Sequence, residues 1–148
     1  MSAPAAPEHA GRVLGLDLGD ARIGVAISDE DRRVAVPLGT LRTGAPQDLR
    51  AVAGLVEEHG ITLVVVGHPL SMSGLSGPRA SAAEEFAGAL RSFLPVPVSL
   101  QDERLSTVEA ERSLRRAGAG GRERRRVVDQ TAATVILQAW LDAHRHER

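Results

Sequence analysis

The sequence predicts an α/β fold, a five-stranded mixed sheet with helices on both faces, and three observations carry that expectation. The runs RVLGLDL at 12–18 and ITLVVV at 61–66 are apolar on both alternating faces, as central strands covered from two sides must be. Segments of helical period alternate with the later strands, giving the order βββαβαβαα, and such an order favours a mixed sheet between helical layers. The length is 148 residues, 43% of them apolar and none of them Cys. That supports one core and excludes a disulfide scaffold, thiolate chemistry and a two-lobed enzyme.

Residues 1–11, with Pro4 and Pro7 and neither a basic cluster nor an apolar run, read as a disordered lead rather than a signal peptide. Residues 12–148 are then expected to form a single domain. The first strand, from Arg12 to Leu18, ends in a Gly19-Asp20 turn. A hairpin partner follows, in which Ile23, Val25 and Ile27 alternate with Gly24, Ala26 and Ser28. Val34–Leu41 contains Pro37, which suits an edge strand. Leu49, Val52, Ala53 and Val56 recur at helical spacing within 47–59, and Gly60 stops that helix. The strand at 61–66 leads into GHPLSMSGLSG at 67–77, a loop by its Gly, Ser and Pro content. Pro78 suits a first helical turn, and Ala83, Phe86, Ala87 and Leu90 make one stripe of a helix ending near Phe93. Val96–Gln101 reads as the fifth strand. Ser106 with Glu109 has capping-box spacing, opening a helix that Gly118 ends; Gly118–Gly121 forms a joint before a final helix over about 122–144.

The longest apolar run is far below the roughly 20 residues a membrane span needs, so a soluble, cytoplasmic protein with no membrane partner is expected. The formal charge of −1 hides an uneven distribution. Residues 104–126 carry 8 Arg against 3 acids, among them Arg104, Arg122, Arg124 and Arg125, whereas residues 1–103 carry 8 Arg against 13 acids. A basic segment of this kind is either a footprint for a polyanion or a solvated pair of helix ends. Phe86, Phe93 and Trp140 are the only aromatic residues, so gripping single-stranded bases by ring stacking is not expected.

Three acids stand where solubility does not explain them. Asp17 closes an otherwise apolar strand, and a carboxylate there needs a cation or donors to offset its desolvation. Asp102 and Glu103 follow the fifth strand at what should be the same sheet edge; neighbouring strand residues face opposite ways, so only one of them can face Asp17. Asp129 falls on the helical stripe of Ala132, Ala133, Ile136, Trp140 and Ala143 at about 100° per residue. Carboxylates that converge repel one another unless hard dications neutralise them. With no Cys and no ligand-like His spacing, Mg²⁺ or Mn²⁺ suits such a site better than zinc.

Four motifs, GLDLGDARIGVAISD at 15–29, VVGHPLSMSG at 65–74, DERLSTVEAE at 102–111 and VDQTAATVILQAWLD at 128–142, resemble in order and spacing the YqgF/RuvX family, whose members are described as pre-16S rRNA nucleases or Holliday junction resolvase-like proteins. The resemblance covers about residues 12–143 and implies a ribonuclease H-like fold. It implies that Asp17, Glu103 and Asp129 are the catalytic, metal-holding triad, with Glu103 rather than Asp102 inward. Arg22, Arg104 and the loop from Gly67 to Gly74 match further signature positions, implied to contact phosphate or position the acids; for the two arginines a salt bridge that orients a neighbouring carboxylate is the alternative. Ser106 and Thr107 read as helix caps and His68 as a loop or packing residue. Ser71, Ser73 and Gln130 depart from the family pattern and are not assigned to the site.

The function so implied is that of a metal-dependent endonuclease acting on structured nucleic acid, trimming the 5′ region of the 16S rRNA precursor. Arg22, Arg104, Arg122, Arg124 and Arg125 would hold the backbone, with ribosomal particles as further partners and a monomer or homodimer as the assembly. Resolution of branched DNA junctions is the alternative enzymatic reading, and a non-catalytic RNA-binding ribosome-assembly factor is the alternative of another class. GLDLG at 15–19 also resembles the first phosphate loop of the actin and sugar-kinase ATPases, which need a second lobe that this length does not supply.

Overall fold

A computed structural model describes residues 11–70, 73–75, 77–104 and 122–145, with the backbone alone over 122–131. Five strands, β1 (Arg12–Leu18), β2 (Arg22–Ser28), β3 (Ala35–Arg42), β4 (Ile61–His68) and β5 (Val98–Asp102), form one sheet in the order β3-β2-β1-β4-β5. β2 runs antiparallel to both β1 and β3, whereas β1, β4 and β5 are parallel. Three helices are described: α1 (Gln47–His59), α2 (Pro78–Phe93) and α3 (Arg122–Ala143). The expected helix over 106–118 and the joint after it lie outside the described residues, as do residues 1–10 of the expected lead.

The alternation of β1 builds two cores. Leu14 and Leu16 join Ile23, Val25, Val64 and Val66 beneath α1 and α2, where Val52, Phe86 and Leu90 close the layer. Val13 joins Ala26 and Val65 on the opposite face, under Ala133, Ile136, Leu137 and Trp140 of α3. Small residues bring α3 down onto β1: a Cβ on Gly15 would stand 2.8 Å from Leu137 Cβ. Gly60 ends α1 in the left-handed region (φ 64°), returning its N–H to Val56 O, which matches the expected stop. Pro78 opens α2 as expected.

Several details depart from the sequence reading, among them β3, which runs over Ala35–Arg42 rather than Val34–Leu41. β4 extends to His68 because β5 runs beside it that far, pairing His68 with Asp102. β5 begins at Val98 rather than Val96. Ala143, expected on the buried stripe of the last helix, is exposed; Leu137 and Leu141, fully buried, carry the stripe with Ala133, Ile136 and Trp140 instead.

Candidate active site

Parallel β-strands open their C-terminal ends to ligands, because the chain there leaves the sheet in loops. Here those ends carry acids. Asp17 is the next-to-last residue of β1 and only 2% exposed, and Glu103, one residue past β5, is equally buried. Both acids belong to the α3 side of the sheet. Asp17 pairs with Gly24 and Gly15 with Ala26, a residue of the α3-side core, which fixes the face of Asp17.

Gly67 explains how Glu103 reaches the same place. Leu16 pairs with Val66, so Gly67 and Asp17 are the next residues along adjacent strands. A Cβ on Gly67 would overlap Glu103 Oε2 and stand 3.2 Å from Glu103 Cδ and 2.7 Å from Ile136 Cδ1. The Glu103 carboxylate therefore lies over the bare backbone of β4, on the strand next to Asp17. Its main chain is held there too, since the Glu103 N–H donates to His68 O at 3.2 Å. The sequence reading did not single out Gly67 for this. It placed Gly67 at the start of a loop, 67–74, that matches family signature positions, without assigning the glycine itself a role.

Asp102 goes the other way, as strand alternation requires. It is exposed and is clasped by Arg104: Oδ2 accepts from Arg104 Nε at 2.8 Å and lies 2.5 Å from Nη2, while Oδ1 accepts from the Arg104 N–H at 2.9 Å. The Arg104 guanidinium holds the Asp102 carboxyl below its usual range. Arg104 also borders the loop after β4, where a Cβ on Gly74 would meet its Nη1 at 3.1 Å. Of the two roles open to Arg104, orienting a neighbouring carboxylate is the one its contacts display. His68, read as a loop or packing residue, ends β4 instead, with Nε2 2.6 Å from Glu84 Oε2 of α2. Arg22 opens β2 at this same sheet edge, fixed by the tight turn in which Gly19 N–H donates to Arg22 O at 2.8 Å.

Asp129 stands in α3, one turn before Ala133, whose carbonyl would lie 3.4 Å from a Cβ on Gly15. Helix α3 runs opposite to β1: Ala133 and Leu137 stand over Gly15, while Gln138 bonds the Ala35 N–H and Arg33 O at the far end of the sheet, so the turn holding Asp129 lies toward the Asp17 end. The side chains of Asp129, Arg122, Arg124 and Arg125 lie outside the described residues. Among the described residues no group of three acids or histidines is close enough to share an ion. Two acids, Asp17 and Glu103, are thus brought together, and the backbone of the third approaches from α3.

The two described acids fit a hard dication. Both offer carboxylate oxygens, the donor type that Mg²⁺ and Mn²⁺ prefer, and the side chain missing at Gly67 leaves room for one of them. A family model described as "RuvX: Holliday junction resolvase" matches residues 11–143. The chain belongs to the RuvX family.

Its relatives in that family agree over almost their whole length. A protein of Myxococcus xanthus (strain DK1622) named "Putative pre-16S rRNA nuclease" is 51% identical over 135 residues, covering 90% of this chain and 89% of the relative. Proteins of the same name from Chloroflexus aggregans and Thermobifida fusca (strain YX) are 47% and 51% identical, covering 90% and 91% of this chain and 95% and 89% of theirs. Among solved structures, "T. thermophilus RuvC in complex with Holliday junction substrate" superposes with a TM-score of 0.55 at 16% identity, over 92% of this RuvX-family chain and 96% of the other. At that identity the likeness shows the fold, which is the ribonuclease H-like one that the motifs implied.

Proposed function

We propose that this RuvX-family chain is a divalent-cation-dependent endonuclease that trims the 5′ region of precursor 16S rRNA, in the cytoplasm, with Asp17, Glu103 and Asp129 as its catalytic and metal-holding acids. The observation that carries the reading is the burial of two carboxylates, Asp17 and Glu103, on either side of the bare Gly67 backbone at the C-terminal edge of the parallel strands. Two carboxylates at 2% exposure are costly to bury, and a bound cation offsets that cost. Mg²⁺ or Mn²⁺ bound there would neutralise the acids and favour water attack on a phosphodiester.

The chain's own residues supply the rest. Asp17 and Glu103 are held by strand pairing and by the Glu103–His68 backbone bond, so they need little reorganisation when substrate arrives. Arg22 contacts a backbone phosphate from the edge of β2. Arg122, Arg124 and Arg125, in the first turn of α3, extend the contact along the strand, and Arg104 joins them while keeping Asp102 turned away from the acids. These contacts suit a structured substrate read by charge and shape, such as an RNA precursor within a ribosomal particle, by a monomer or homodimer.

The description of the family model as a resolvase favours a second reading on the same acids, cleavage of branched DNA. A manganese-dependent cleavage assay that pairs precursor rRNA fragments with four-way DNA junctions separates the two. The parent should cut the RNA in preference, and Asp17→Asn should slow cleavage by about a hundredfold or more. An Asp17→Asn protein that cuts as fast as the parent at saturating Mn²⁺ would overturn the proposal.

A further inference from the structure

The β2–β3 ladder sets two arginines directly opposite each other: Arg22 pairs with Arg42 in the antiparallel register. Opposed residues of an antiparallel pair share a face, with Cβ atoms about 4.5–5.5 Å apart, and like charges so placed are destabilising. The face is that of the acids, because Arg22 alternates with Gly24, the partner of Asp17, and with Ala26, a residue of the α3-side core. Among the described residues neither guanidinium has a carboxylate or carbonyl partner, whereas Arg104 and Arg145 each have one. The pair is also rigidly mounted. Thr43 N–H donates to Ala21 O at 3.1 Å, Thr43 Oγ1 donates to Gly19 O at 3.1 Å, and Gly19 N–H closes on Arg22 O, so the ends of β2 and β3 and the turn between β1 and β2 form one unit. β3 is the outermost strand, which leaves Arg42 open to a large ligand.

We propose that Arg22 and Arg42 form a two-arginine clamp for a backbone phosphate flanking the one that is cleaved. Two forks facing one tetrahedral anion turn a repulsive pair into a bidentate site, a geometry that lysine does not reproduce. The clamp sits one and two strands away from Asp17 on the same face, so a nucleic-acid strand held there runs on along the sheet edge to the acids. The inference rests on the nuclease reading for its ligand, and it adds Arg42, which the sequence motifs did not mark.

The test is equilibrium binding of a precursor 16S rRNA fragment and a four-way DNA junction in EDTA, over a range of salt concentrations. The proteins are the parent, Arg42→Gln, Arg42→Lys, Arg22→Gln and Arg50→Gln, a control on α1 on the far face. Arg42→Gln and Arg22→Gln should each weaken binding about tenfold and lower the salt slope by about 0.7–0.9, the loss of one phosphate contact. Arg42→Lys should recover the slope but only part of the affinity, and Arg50→Gln should match the parent. In the absence of nucleic acid, Arg42→Gln should raise the melting temperature at low salt, with the gain vanishing as salt screens the pair.

An Arg42→Gln protein with parental affinity and slope overturns the clamp and leaves the nuclease reading standing. Parent protein that binds through both arginines yet cuts nothing with Mn²⁺ overturns the nuclease reading and keeps the clamp. A parent that binds neither nucleic acid overturns both.

Discussion

Gly67→Ala should displace the Glu103 carboxylate and cost the fold about 1–2 kcal/mol. The added methyl would overlap Glu103 Oε2, crowd Glu103 Cδ at 3.2 Å and meet Ile136 Cδ1 at 2.7 Å. Overpacking a well-filled site costs roughly 1–3 kcal/mol. Replacing a strand glycine by alanine returns about 0.5–1 kcal/mol, since the alanine chain loses less freedom on folding. Ile136 Cδ1 is the end of a flexible side chain and can swing aside. The carboxylate, wedged between β4 and α3, accounts for most of the cost. In a Glu103→Ala background that clash is gone, so Gly67→Ala should be neutral to within about 0.5 kcal/mol there. The cycle of four proteins, unfolded in urea at neutral pH in EDTA, should therefore give a coupling of about 1 kcal/mol or more. Two substitutions that simply add, within about 0.5 kcal/mol, would refute the claim that the missing side chain at 67 exists to seat Glu103.

Asp17→Asn in metal-free buffer should raise the melting temperature, by on the order of 1 kcal/mol of relieved carboxylate repulsion; differential scanning calorimetry checks this, and a clear drop would make Asp17 a structural hydrogen-bond acceptor instead. Leu137→Ala, truncating a fully buried side chain packed over Gly15, should cost about 2–5 kcal/mol in urea denaturation. The Asp102–Arg104 clasp gives a sign for pH. The hydrogen bond from Arg104 lowers the Asp102 carboxyl below its ordinary 3.8, so its contribution is fully present above that value and is lost as pH falls through the lower folded value. The stability gap between the parent and Asp102→Asn should accordingly be constant from pH 7 to 5 and close toward pH 2, as read from urea midpoints.

Most of the fold was legible because local signals agreed with global needs. The apolar runs at 12–18 and 61–66 became the interior strands β1 and β4, Pro37 marked the edge strand, and Gly60 ended its helix in the left-handed region that glycine tolerates best. The acids were legible for a similar reason: a carboxylate in an apolar strand contradicts its surroundings, and alternation allowed only one of Asp102 and Glu103 to point inward. Glu103 is the buried one.

What stayed hidden depends on contacts between distant segments. Gly67 reads as the first residue of a loop until the strand β5 is seen beside it and Glu103 is seen lying over it. The opposition of Arg22 and Arg42 depends on a bulge. The register shifts by one residue between Val25 and Ala26, with Leu38 inserted in β3. Counting outward from Ser28 opposite Ala35 without that shift would set Arg22 against Leu41. The exposure of Ala143 was likewise invisible to a helical wheel, which gives the period of a helix and not what packs on each of its residues.

The most direct measurement is an anomalous difference map from crystals of the parent protein grown with Mn²⁺. A peak at coordination distance, about 2–2.5 Å, from carboxylate oxygens of both Asp17 and Glu103 is the expected result, with Asp129 as a third ligand. Absence of any peak between Asp17 and Glu103 at saturating Mn²⁺ would contradict a cation site at this sheet edge.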